Sequence, residues 1–115
     1  MKRVVILGST GSIGRQALEV AAAFPEHLRV VGLAAGASDL FAAQLARWHP
    51  DVAALVDPEA SRRAALASGR AVLAGPEGVT AVAVWPEADL VLNAIVGFAG
   101  LAPTLAAIEA GKDVA

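Results

Sequence analysis

Gly8, Gly11 and Gly14 recur every three residues in Gly8-Ser9-Thr10-Gly11-Ser12-Ile13-Gly14, directly after the apolar run Val4-Val5-Ile6-Leu7. Residues without side chains, interleaved with hydroxyls, suit the holding of an anion against bare backbone. Gly8 permits a sharp turn off a strand. Gly11 lets a pyrophosphate approach the main chain, and Gly14 lets the next helix lie close on the sheet. The first N–H groups of that helix, with its dipole, then face the anion, and Ser9, Thr10 and Ser12 offer hydroxyl donors. The same residues also suit a plain strand-to-helix turn. Their place after a first strand and before a first helix favours dinucleotide binding.

Two further stretches bear on which dinucleotide. Leu33-Ala34-Ala35-Gly36-Ala37-Ser38 ends a second apolar run with no carboxylate at its tip. An acidic residue there would hold the ribose diol of NAD, so its lack favours NADP. No Arg or Lys lies in the stretch to hold a 2′-phosphate, which leaves Ser38 and backbone N–H groups. Arg15 is a possible helper, and Asp39 reads as part of a helix start beside Ser38. Asn93-Ala94-Ile95-Val96-Gly97 would deliver Ala94, Ile95 and Val96 to the same edge, where small side chains allow close approach. A buried strand followed by a glycine turn explains that stretch equally well.

The elements that must position these residues alternate from end to end. Strands are expected at Val4–Leu7, Arg29–Ala34, Val52–Val56, Val72–Leu73 and Leu90–Ile95, with a sixth beginning at Lys112. The first helix, ended by Pro25, would bury Ile13, Ala17, Val20 and Phe24. The second would bury Phe41, Leu45 and Trp48. Asp57-Pro58 opens a third, which Gly69 ends, and Gly75-Pro76 opens a fourth. Leu101, Leu105 and Ile108 would line a fifth, closed by Gly111. Continuous apolar strands alternating with helices imply an α/β fold, a doubly wound parallel sheet of the Rossmann-like dinucleotide-binding kind. A strand begun at Lys112 suggests the N-terminal part of a longer protein.

Composition narrows the partners. With 57% hydrophobic and 17% charged residues, the 115-residue chain has the makings of one packed core. A net charge of −2 without a basic cluster argues against nucleic acid. There is no cysteine, so disulfides and thiolate metal sites are excluded. No apolar run is long enough to span a bilayer or act as a secretion signal, which points to a cytoplasmic protein. Asp57 and Glu59 read as helix-start carboxylates, Arg62-Arg63 as a solvated helix face, Trp48 and Trp85 as packing residues, and His27 and His49 as surface residues.

The stretches Ile6–Gly14, Pro25–Gly36 and Asn93–Lys112 together resemble the N-terminal domain of the 1-deoxy-D-xylulose 5-phosphate reductoisomerases. The third, with Ala94-Ile95-Val96-Gly97-Phe98-Ala99-Gly100-Leu101, is the more distinctive. The resemblance implies an NADPH- and metal-dependent enzyme of non-mevalonate isoprenoid biosynthesis, which rearranges a sugar phosphate and reduces the aldehyde formed. Its cofactor contacts carry over to Thr10, Gly11, Ser12 and Ile13, and to Gly36 with Ala37 and Ser38. Many relatives have Lys-Asn where this chain has Ala37-Ser38. The family's next landmark, an Asn-Lys-Glu-Ser stretch, lies beyond Ala115, as do its ligands for magnesium, manganese or cobalt. The resemblance therefore implies a cofactor-binding part, inactive alone, of a homodimeric enzyme. Other NADP-dependent reductases, of the semialdehyde dehydrogenase or dihydrodipicolinate reductase type, and a non-enzymatic dinucleotide sensor share the glycine loop.

Overall fold

The computed structural model describes residues 1–115. Six strands alternate with five helices: β1 (Lys2–Leu7), α1 (Ser12–Ala23), β2 (Leu28–Ala35), α2 (Phe41–Trp48), β3 (Val52–Leu55), α3 (Pro58–Ser68), β4 (Leu73–Ala74), α4 (Gly75–Ala83), β5 (Leu90–Asn93), α5 (Leu101–Glu109) and β6 (Asp113–Val114). A 3-10 turn, Phe98–Gly100, leads into α5. The sheet order is β4-β3-β2-β1-β5-β6, and every neighbouring pair is parallel. The chain thus winds outward from β1 in one direction, then returns and winds in the other. The α/β class and the doubly wound parallel sheet are as expected.

Each face of the sheet carries its own core. On one face, Leu18 and Ala21 of α1, Phe41 and Leu45 of α2, and Ala60 and Ala64 of α3 pack on Val4, Ile6, Leu33 and Leu55. On the other, Val79, Val82 and Ala83 of α4 and Ala107 of α5 pack on Val5, Leu7, Ala34 and Val91. Burial on both faces explains why β1 to β3 read as unbroken apolar runs. Between Val4 and Val5 the register with β2 slips by one residue. Gly32 fits there because a side chain would press on Val5 and Val82.

Two buried faces differ from expectation. Helix α1 buries Gly14, Leu18 and Ala21, while Ile13, Val20 and Phe24 are 60%, 52% and 51% exposed. Helix α5 buries Pro103 and Ala107 and leaves Leu101, Leu105 and Ile108 exposed. In both, a face made mostly of small residues (in α1 with the single larger Leu18) meets the sheet, and the other bulky stripe is turned aside. Strand ends also shift: β3 stops at Leu55, β4 is Leu73–Ala74, and β5 stops at Asn93 rather than Ile95. Helix α2 starts at Phe41, and Ser38 forms the preceding turn, its Oγ accepting from Leu40 N at 3.1 Å. Asp57 caps α3 as expected, accepting from Ala60 N at 2.9 Å. Trp48 and Trp85 each pack against a core.

Candidate functional site

The direction of winding reverses between β1 and β5, so the loops leaving these strands diverge and open a crevice at the carboxyl edge of the sheet. The β1–α1 loop, Gly8 to Gly11, forms one lip. Gly8 has φ +82°, and its N–H donates to Ala34 O at 2.7 Å. A side chain on Gly8 would come within 2.9 Å of the Ala94 carbonyl carbon and 3.1 Å of Ile95 N. Gly8 is therefore required by its turn and by the second lip, residues 94–97. That lip continues the β1–β5 pairing through Ala94 N to Leu7 O at 2.8 Å.

The remaining glycines of the loop have different reasons. A Cβ on Gly14 would strike the backbone of Gly8 and the Ser9 Cα at 2.8 Å. Nothing in the chain demands Gly11. Its φ is −79°, and a Cβ there would meet only Gly8 O, at an ordinary 3.6 Å. Gly11 is the N-cap of α1, and no side chain caps that terminus. The first N–H groups of the helix, from Ser12, Ile13 and Gly14, are thus left without a side-chain cap, a disposition that suits a pyrophosphate.

The loop hydroxyls divide. Thr10 is partly exposed and Ser12 exposed, so both can reach an anion. Ser9 is fully buried: its Oγ donates to Gln44 Oε1 at 2.8 Å, and its carbonyl accepts from Gln44 Nε2 at 2.9 Å. The expectation that Ser9 donates to the anion is corrected, because Gln44 of α2 already uses its hydroxyl. Arg15 lies one turn into α1, exposed, with Nε 3.4 Å from Gly11 O.

An apolar cleft of about 610 Å³ adjoins the second lip, at Ile95. Gly36, Val56, Val79, Thr80, Ile95 and Phe98 are among its walls. It lies where β2 ends and the fourth and fifth helices meet, and its lining suits a flat, weakly polar ring. The chain's own residues leave Gly36 open, with nothing within 4 Å of a Cβ there. Phe98, in its wall, is 89% exposed, and Val96, two residues before it, is 83% exposed. Gly97, at φ +77° and ψ −164°, turns the chain between them in a conformation open to glycine alone. Asn93 fixes this lip: its Nδ2 donates to Gly100 O at 2.8 Å and Thr104 Oγ1 at 2.5 Å, and its Oδ1 accepts from Ile95 N at 3.0 Å.

The structure thus gathers Gly8, Thr10, Gly11, Ser12, Ile13, Gly36, Ala37, Ser38, Ala94, Ile95 and Val96 along one edge of the sheet. Sequence reasoning missed the roles of Gln44 and Asn93 and the walls supplied by Val56, Val79 and Thr80. Asn93 carried a visible signal, a single amide closing an apolar strand, whereas the others depend on long-range packing. There is no group of three or more His, Asp or Glu placed to hold a metal ion. No helix is long and apolar enough to cross a membrane.

Residues 4–115 match the family model described as 1-deoxy-D-xylulose 5-phosphate reductoisomerase. A protein of that name from Prochlorococcus marinus strain MIT 9313 is 52% identical over 122 residues, covering 96% of this chain and 30% of the relative. A crystal structure of DOX-P reductoisomerase in complex with magnesium superposes with a TM-score of 0.92 at 32% identity, over 99% of this chain and 30% of that one. Another, in complex with NADPH, fosmidomycin and magnesium, gives 0.90 at 34% identity, over 99% and 29%. The chain spans about 30% of the length of the relatives it matches.

Proposed function

The chain belongs to the 1-deoxy-D-xylulose 5-phosphate reductoisomerase family, and from that premise we propose that it is the NADPH-binding domain, residues 1–115, of a longer NADPH-dependent reductoisomerase. That enzyme would convert 1-deoxy-D-xylulose 5-phosphate to 2-C-methyl-D-erythritol 4-phosphate in non-mevalonate isoprenoid biosynthesis. Family membership sets aside the semialdehyde dehydrogenase and dihydrodipicolinate reductase readings. The observation that carries the proposal is Gly11, a glycine that neither its backbone nor its neighbours require, at an uncapped helix start on the sheet edge that also carries an apolar cleft.

In this reading the backbone of Gly11, Ser12 and Ile13, with the Thr10 and Ser12 hydroxyls, holds the pyrophosphate. The cleft beside Gly36 and Ile95 takes the adenine, and Ala37 and Ser38 lie by the 2′-phosphate. Ala94 to Val96 line the crevice toward the nicotinamide, with Asn93 holding that lip in place. When bound, NADPH supplies a hydride. The divalent metal and the sugar-phosphate site belong to the rest of the enzyme, a cytoplasmic homodimer with no nucleic-acid or membrane partner. This chain alone turns over no substrate.

The test is a titration of the chain with NADPH and NADH, followed by cofactor fluorescence, alongside Gly11→Val. Saturable binding that prefers NADPH, weakened at least about tenfold in Gly11→Val, is the expected result. Equal binding by both proteins would remove the loop from the site.

A further inference from the structure

The β2–α2 loop presents a charge problem. A 2′-phosphate monoester carries close to two negative charges at neutral pH. Residues 36–40 offer it Ser38 but no cation, and Asp39 adds a negative charge of its own. The cation must come from another element.

Helix α3 stands beside this loop. Asp57 N donates to Gly36 O at 3.0 Å and Val56 N to Ala35 O at 3.0 Å, which ties the start of α3 to the end of β2. Between α2 and α3 is a small pocket of about 120 Å³ bordered by Ser38, Asp39 and Arg63. Ala42, Ala60 and Ala64 form its walls, and their short side chains leave the space open. Arg63 stands five residues into α3, a rise of about 7.5 Å above Pro58. Helical side chains lean toward the helix N-terminus, here toward the carboxyl edge of the sheet and Ser38.

Arg63 is also uncommitted. Lys2 and Arg3, Arg29 and Arg62 are engaged by Asp113, Asp89, Asp51 and Glu59. Arg15 and Lys112 bond to carbonyls, and Arg47 stacks on Trp48 with its guanidinium 5.1 Å from the ring centre. Only Arg63 and Arg70 have no ion pair, hydrogen bond or aromatic partner. Arg70 follows Gly69 at the far end of α3, on the amino edge of the sheet. Asp39 borders the same pocket but makes no ion pair with Arg63.

We infer that Arg63 selects the 2′-phosphorylated dinucleotide: its guanidinium meets a phosphate monoester seated at Ser38, supplying the charge that the β2–α2 loop lacks. The inference rests on the dinucleotide reading of the site and assigns within it the determinant of NADPH over NADH. A guanidinium can give a phosphate two parallel hydrogen bonds, which an uncharged hydroxyl pair on NADH cannot match.

The experiment compares NADPH, NADH and adenosine 2′,5′-bisphosphate binding to the chain and to Arg63→Ala, Arg63→Lys and Arg62→Ala. All three substitutions replace exposed side chains, and far-UV circular dichroism checks the fold. Arg63→Ala should weaken NADPH and the bisphosphate about 10- to 100-fold and leave NADH within about twofold. Arg63→Lys should recover part of the loss, and Arg62→Ala should change nothing. Parallel loss of NADPH and NADH, an unchanged NADPH affinity, or an equal effect of Arg62→Ala would overturn the assignment while leaving the dinucleotide site intact. Failure of the unmutated chain to bind any of the three ligands would overturn both readings.

Discussion

Gly11 and Gly14 are three residues apart, but substitution should separate them completely. A methyl group on Gly14 meets fixed backbone of Gly8 and Ser9, so Gly14→Ala must push α1 off the sheet. Overpacking of this kind costs about 1–3 kcal/mol, which a denaturant midpoint will register. At Gly11 a Cβ meets no such obstacle, so Gly11→Val should cost only what an apolar N-cap costs, about 1 kcal/mol, while NADPH binding falls. Gln44 offers a third contrast. It stands outside the crevice yet satisfies both the hydroxyl and the carbonyl of buried Ser9. Gln44→Ala leaves those groups unpaired, so a loss of about 1–3 kcal/mol is expected by urea unfolding. If stability is unchanged, a replacement partner for Ser9 must exist and the buried pair is not what holds the loop.

At the scale of elements, an ion pair fastens the start of β1 to the turn before β5. Arg3 N donates to Asp89 Oδ2 at 2.8 Å, and its guanidinium reaches both carboxylate oxygens at 3.3 Å. These bonds, first from the Arg3 side chain and then from its backbone N–H, hold the Asp89 carboxyl below its ordinary 3.8. A folded value below the unfolded one means that the contribution is fully present above the ordinary carboxylate range. It is lost as pH falls through the depressed folded value. Urea midpoints should therefore fall more steeply with acid in the parent than in Asp89→Asn below about pH 4. Identical pH profiles would show that this pair adds nothing to the link. The alternation of strands and helices, the glycine turn and the six strands were legible because period and turn residues encode them locally. The buried faces of α1 and α5 were not. Val20 and Leu105 repeat at the same spacing as the residues that are buried, and periodicity alone does not say which stripe meets the sheet. Arg63 was hidden for a related reason: side by side with Arg62 it reads as solvated, and only the packing of α3 against the β2–α2 loop brings it to Ser38.

Across the whole molecule, those turned-aside stripes leave two apolar surfaces. On α1, Arg15, Leu18 and Glu19 look toward α2, with which they share a cavity. The opposite flank, Ile13, Val20 and Phe24, therefore overlooks β5 and β6, where no helix of this chain lies on that face. On the other side of the sheet, Leu101 and Leu105 of α5 line the apolar cleft with Phe98 and are about half exposed, and Ile108 stands exposed beyond them. Soluble monomers rarely carry contiguous apolar patches beyond a few hundred Å². The isolated chain should accordingly self-associate as its concentration rises, by sedimentation velocity. The pairs Val20→Lys with Phe24→Lys and Leu105→Lys with Ile108→Lys should identify the face responsible. Because all four side chains are about half exposed, each pair should cost little stability, on the order of 1 kcal/mol. One pair should restore a monomer and the other should not, since a symmetric dimer uses the same patch on both copies. A chain that stays monomeric at every concentration would show that the two stripes are too interrupted to act as patches. Val20, Phe24 and Ile108 would then be tolerated at the surface rather than placed there for a contact.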